Sequence, residues 1–164
     1  MNKEVMIVTG AGQISMAIAR RVGFGKKIIL GDKKIENANA IAKVMNEAGY
    51  DVVPFEMDLS SRESILAIIA EAQKYGEIKY LVNGAGVSPS QAPIEAILKV
   101  DLYGTAVLLE EVGKVIAEGG SGGHYFQPVR LADASINSGR GRAAGHNAHG
   151  GAAFPGDAKA RKHP

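Results

Sequence analysis

Apolar residues fall along this chain in two alternating rhythms. Short apolar-rich runs bounded by small or polar residues recur at 5–8, 26–30, 51–56 and 78–82, and runs of that length read as strands. Between them, apolar positions return every three or four residues. One such stripe begins after Gly12; a second holds Ile35, Ala38, Ile41, Ala42, Val44 and Met45 within 35–47; a third holds Ile65, Leu66, Ile68, Ile69 and Ala72 within 62–74. Each predicts a helix with one buried face. A longer stripe, from Ile94 through Leu98, Leu102, Leu108 and Val112 to Ile116, predicts a single helix over 93–117. Pro93 suits its first turn and Gly119-Gly120 its exit. Gly49 closes the second helix, and Ser60 or Ser61 caps the third. Pro54, which has no N–H to donate, places the third strand at a sheet edge. Strands alternating with helices predict an α/β protein with a doubly wound parallel sheet.

The first strand runs into Thr9-Gly10-Ala11-Gly12-Gln13-Ile14-Ser15. A strand, a Gly-rich turn and a helix, in that order, suit a bound pyrophosphate, because the free N–H groups and positive dipole end of the helix face it. Gly10 permits the tight turn and Gly12 a close backbone approach, while Ser15 is small enough for the helix to pack on the strand. Taken alone the spacing also fits an ordinary Gly-rich loop. Asp32, 22 positions beyond Gly10 and just after the second strand, adds a carboxylate where a ribose would need one. It accepts both ribose hydroxyls and repels a 2′-phosphate, so NAD is expected ahead of NADP.

The 164 residues suffice for one domain with a substantial core, and 46% hydrophobic with 22% charged residues reads as soluble and globular. Absence of Cys removes disulfides and thiolate metal sites. The N-terminus enters a short strand directly, too short for a signal-peptide core or a membrane span, so the expectation is a cytoplasmic protein with no membrane partner. Charge is uneven. Residues 123–164 carry six Lys and Arg against Asp133 and Asp157, a net of +4, which leaves −2 on the first 122; all four His also lie in that last stretch. The chain therefore reads as a nucleotide-binding domain over 1–122 followed by a basic tail of low periodicity over 123–164. His146 and His149 lack carboxylate or helical companions, so no metal is expected. The tail's Arg residues lack aromatic interleaving, so no nucleic acid is expected.

Taken together, Thr9-Gly10-Ala11-Gly12, Asp32, Asp58-Leu59 and Asn83-Gly84-Ala85-Gly86, each after its own strand, resemble the short-chain dehydrogenase/reductase family over about residues 4–122. The resemblance is to an atypical branch with a tighter Gly-x-Gly turn, since Ile14 and Met16 stand at later glycine positions. It implies a Rossmann-like fold and a hydride-transferring oxidoreductase acting on an alcohol or carbonyl substrate, homo-oligomeric in its intact form. It also implies a cofactor site of Gly10, Gly12, Gln13, Ile14, Asp32, Asp58, Leu59, Asn83, Ala85 and Gly86. In it Asp58 bonds the adenine amino group, Leu59 packs nearby, and the Asn83–Gly86 turn supports the central strand and the cofactor.

The chain departs from the family in its catalytic residues. Asp101 stands where the family carries an Asn; it accepts a hydrogen bond but is charged, and a plain solvated carboxylate is the alternative. The family's Tyr-x-x-x-Lys occurs here only as Tyr75-Gly76-Glu77-Ile78-Lys79, before strand four and so at the wrong end of the sheet. No Ser-bearing fifth strand follows the long helix, so the sheet is expected to stop after strand four and leave it an open edge. Codons for Gly-His-Tyr-Phe-Gln-Pro (123–128), read one base later, permit Val-Ile-Ile-Ser-Ser. Residues 123–164 are accordingly read as an out-of-frame tail, with a divergent in-frame tail as the alternative. The expectation is a short-chain dehydrogenase inactive or impaired as it stands. The rival functions are a non-catalytic nucleotide-binding fragment and, behind it, an S-adenosylmethionine methyltransferase.

Overall fold

The computed structural model describes residues 3–88 and 92–124. In chain order they form β1 (Lys3–Thr9), α1 (Gln13–Val22), β2 (Lys27–Asp32), α2 (Ile35–Glu47), β3 (Asp51–Glu56), α3 (Arg62–Gln73) and β4 (Gly76–Asn83). Then come α4 (Ile94–Ile97), a π-helical segment (Leu98–Gly104), α5 (Thr105–Gly113) and β5 (Ser121–His124). The strands make one parallel sheet in the order β3-β2-β1-β4-β5. The fold is the Rossmann-like α/β arrangement expected, with Pro54 on an edge strand.

β1 is an unbroken apolar run because both of its faces are covered. Met6 and Val8 pack with Ile28, Leu30, Met16, Ala19, Ala38 and Met45 on the side of α1 and α2. Val5 and Ile7 pack with Ile29, Ile65, Ile68, Leu108 and Val112 on the side of α3 and α5. Each of these large side chains contributes about 1.5–3 kcal/mol by leaving water, and together they fix the strand ends. Local signals behave as their chemistry dictates. Ser61 caps α3 by accepting from the Ser64 N–H, and Gly49 takes φ +89° beyond α2.

Two expectations are corrected. The single helix over 93–117 is instead α4, a wider π-helical segment and α5, ending at Gly113. Its apolar spacing carries no sign of this, because tertiary contacts hold the wider segment. Gly104 lies where a Cβ would overlap the Leu59 carbonyl oxygen, and the Asp101 carboxylate accepts from the Val87 N–H at 3.0 Å. The sheet also does not stop at β4. Ser121 to His124 pair in register with Tyr80 to Asn83, straddling the composition break placed at 122. Backbone hydrogen bonding forms this strand although Ser-Gly-Gly-His has almost no apolar side chain. Among the described residues no helix is long and apolar enough to cross a membrane. The readings of the tail beyond His124 and of His146 and His149 concern residues outside those described.

Candidate cofactor site

Strand order reverses direction after β1: β2 and β3 lie to one side, β4 and β5 to the other. Loops leaving the carboxyl ends of β1 and β4 therefore diverge, and such a switch point opens a crevice. Gly10 and the Gly84–Gly86 turn meet there. Gly10 has φ +79°, and a Cβ on it would lie 2.7 Å from the Ala85 nitrogen. Gly84 donates its N–H to the Thr9 carbonyl at 3.0 Å, and a side chain on it would overlap the Ser15 hydroxyl. Glycine at 10 is thus required by backbone contact and a left-handed φ, and glycine at 84 by the Ser15 side chain packed on it. Gly12 differs: a Cβ there would meet nothing within 4 Å. The space over the start of α1 is open, and Gly12, as N-cap, brings no side chain to the first-turn N–H groups.

Asp32 reaches this turn. Its Oδ2 accepts from the Ala11 N–H at 2.8 Å and its Oδ1 from the Lys34 N–H at 2.9 Å. One carboxylate therefore ties the Gly-rich turn to the end of β2 and leaves lone pairs for a ribose. Lys33, next to it, turns away to Asp58, with Nζ 2.9 Å from Oδ2. Partial burial pushes the Asp58 carboxyl up, but hydrogen bonds from Ser60 and Lys33 outweigh it and bring it down to about 2. Leu59 is buried in the core against Gly104. Gln13 and Ile14 start α1, and Ile14 is 43% exposed beside the crevice. Uncapped first-turn N–H groups, an open approach at Gly12 and an acceptor at Asp32 together fit a dinucleotide.

On the β4 side, Gly86 lies under the Asp101 carboxylate, whose Oδ1 would sit 3.2 Å from an added Cβ. Asp101 is thus attached to the turn rather than simply solvated. The Tyr75–Lys79 pair is elsewhere. Tyr75 precedes β4 and bonds Glu71 at 3.1 Å, while Lys79 donates to the Glu118 carbonyl at 2.6 Å. The sequence reading missed Thr9, Thr105 and His124, which surround the buried Asn83 side chain. They come from three elements up to 74 residues away from Asn83, and no local spacing signals such a cluster.

A family described as short chain dehydrogenase matches residues 4–123. The chain belongs to that family, whose members are oxidoreductases using nicotinamide cofactors. It is 36% identical over 121 residues to the short-chain dehydrogenase/reductase bsc3 of Alternaria brassicicola, covering 74% of this chain and 44% of that protein. A variant of actinorhodin polyketide ketoreductase solved with NADPH is 28% identical, with a TM-score of 0.62 over 69% of this chain and 47% of the other. A short chain dehydrogenase/reductase from Burkholderia phymatum solved with NAD, at 22% identity and a TM-score of 0.62, shares the fold over 70% of this chain and 44% of its own. The chain spans about half the length of the relatives it matches.

Proposed function

We propose that this chain forms the cofactor-holding part of a short-chain dehydrogenase and binds NAD(H) ahead of NADP(H) in the crevice between the ends of β1 and β4. The observation that carries the reading is the double attachment of Asp32 to the Ala11 and Lys34 N–H groups, which sets a carboxylate beside the Gly-rich turn. Gly10 and Gly12 shape the approach, and first-turn N–H groups near Gln13 and Ile14 receive the phosphates. Asp58 and Leu59 border the adenine, and Asn83, Ala85 and Gly86 back the nicotinamide half. When bound, the nicotinamide supplies or accepts the hydride for an alcohol/carbonyl pair. Cytoplasmic location and a homo-oligomer built on the exposed Ile94, Leu98, Leu102 and Leu109 complete the proposal.

A second reading, a nucleotide-binding fragment without turnover, is favoured by one observation. The Tyr75–Lys79 pair faces Glu71 and Glu118 at the amino end of β4, away from the crevice. Calorimetric titration of the full chain with NAD, NADP and S-adenosylmethionine tests both readings. NAD binding weakened by Asp32→Ala is the expected result; binding of S-adenosylmethionine alone overturns the assignment. An alcohol panel with bound NAD then separates enzyme from fragment.

A further inference from the structure

Asn83 ends β4 with its side chain fully buried, and three other elements hold it. Its Oδ1 accepts from Thr9 Oγ1 of β1 at 2.5 Å. Its Nδ2 donates to Thr105 Oγ1 of α5 at 3.2 Å and lies 2.8 Å from His124 Nδ1 of β5. A carboxamide has one donor end and one acceptor end, so this orientation requires His124 Nδ1 to be an acceptor, with the ring proton on Nε2. Protonation turns Nδ1 into a donor facing a donor. The conflict is relieved if the carboxamide turns over: Oδ1 then accepts from both His124 and the Thr105 hydroxyl, and Nδ2 donates to a reversed Thr9 hydroxyl.

We propose that His124 is a positioning residue whose protonation state sets the orientation of the Asn83 carboxamide and the hydrogen-bond order of the Thr9–Asn83–Thr105 cluster. The geometry gives this a consequence. Asn83 leads directly into the Gly84–Gly86 turn against which Gly10 packs, and Gly84 shares the Thr9 main chain. Charged and titratable neighbours among the described residues are few. Asp101, on the π-helical segment, attracts the imidazolium, and Tyr80 lines the same cavity. The α1 wall of that cavity, Ile14, Ser15, Ile18 and Val22, carries no charge. Burial pushes the imidazole down, and the opposing pull of Asp101 and of a hydrogen bond at the Asn83 backbone is smaller. The reversal therefore falls on the acid side of the ordinary histidine range.

Nitrogen-15 spectra of the full chain, followed from about pH 8 to about pH 5 across the histidine range, read both groups directly. His124 should show the Nε2–H tautomer at neutral pH, and the Asn83 side-chain amide should shift with the same midpoint as the ring. In His124→Gln the Asn83 amide should become independent of pH. An Asn83 amide that stays still while His124 titrates overturns the proposal, as does a protonated Nδ1 at neutral pH. The link to the cofactor rests on the NAD-binding reading. NAD affinity should fall several-fold through the same midpoint and lose that step in His124→Gln, whereas a flat profile with intact binding removes the link. Failure to bind NAD at any pH counts against the proposed function and leaves the spectra to decide on His124.

Discussion

From β1 to β3 every strand is matched by a helix, and the Gly10–Gly12 turn is tied to the end of β2 by the Ala11 N–H to Asp32 and the Gly10 N–H to the Gly31 carbonyl. From β4 to β5 the described part of the sheet continues as Ser-Gly-Gly-His. Beside it, on the α1 side, a cavity of about 390 Å³ opens, lined by Ile14, Ile18, Val22, Tyr80 and Val82. The first region buries the apolar side chains of β1 and β2 and ends in residues that fit a dinucleotide. The second leaves its cavity open over Ile14, Ile18 and Val22 of α1, which are 38–44% exposed, and its Tyr75–Lys79 pair lies away from the crevice. On the proposed function, holding a cofactor and using it fall to different parts of the sheet, and the described residues carry the first part more fully.

The largest effect that would break this comparison is catalysis. General acid–base groups contribute about 10²–10⁴-fold, and the chain's one Tyr-x-x-x-Lys is the displaced pair at 75 and 79. Turnover of an alcohol panel is expected at background for the chain as it stands. A coding sequence shifted by one base after the Gly122 codon should raise it by orders of magnitude. Ordinary rates from the uncorrected chain would sink both the fragment reading and the out-of-frame reading of 123–164, and Asp101 would be the first residue to replace.

Next in size is a paired glycine test within the well-formed region. Gly10→Ala combines a left-handed φ of +79° with a Cβ 2.7 Å from the Ala85 nitrogen. A left-handed non-glycine costs about 1–2 kcal/mol and forced overpacking about 1–3 kcal/mol, so a loss of about 3 kcal/mol is expected by denaturant unfolding. Gly12→Ala meets nothing within 4 Å and has φ −82°, so its stability should change by no more than about 0.5 kcal/mol. Its NAD affinity should nonetheless drop, because the methyl occupies the approach to the α1 N-terminus. Equal stability losses in the two variants would mean that the turn is built for folding alone.

The same contrast explains what was legible in the sequence. Strand runs such as Val5–Val8 and the stripes of α2 and α3 are read locally, because period and burial are imposed by a sheet covered on both faces. The placement of Asp32 beside the Gly-rich turn was legible since it depends on distance along the chain from Gly10. The π-helical segment was not, because it is held by Leu59 and Val87, which lie 45 and 14 residues from Gly104 and Asp101. β5 was hidden for the opposite reason. Ser121–His124 has no alternation of apolar side chains, and only the backbone of β4 makes it a strand. His124 consequently read as part of a basic tail, whereas it lies against Asn83.

A smaller effect tests the cofactor preference. Hydrogen bonds to charged groups contribute about 1.5–3 kcal/mol, so Asp32→Ala should weaken NAD binding by roughly tenfold or more and leave NADP weakened less. Lys33 is engaged by Asp58, which leaves the Asp32 carboxylate to set the preference. Equal affinity for the two cofactors in the unmutated chain would remove Asp32 from the ribose.

The smallest expected effect lies at Asp58, where the proposed adenine border meets the surface. Its carboxyl is held at about 2, below the ordinary 3.8, by Ser60 and Lys33 acting against burial. A depressed folded value means that the ionised form favours the folded state. The stabilisation is therefore fully present above the unfolded value, declines as pH falls through the interval, and is gone below about 2. Lys33 is 73% exposed, so its share is screened by salt, and the Ser60 hydrogen bonds carry most of what remains. Asp58→Asn should narrow the difference in melting temperature between neutral and strongly acidic solution, and added salt should change the parent little. An unchanged acid dependence in Asp58→Asn would move the acid sensitivity elsewhere, Asp51 with Lys27 and Lys3 at the opposite end of the sheet being the next carboxylate to replace.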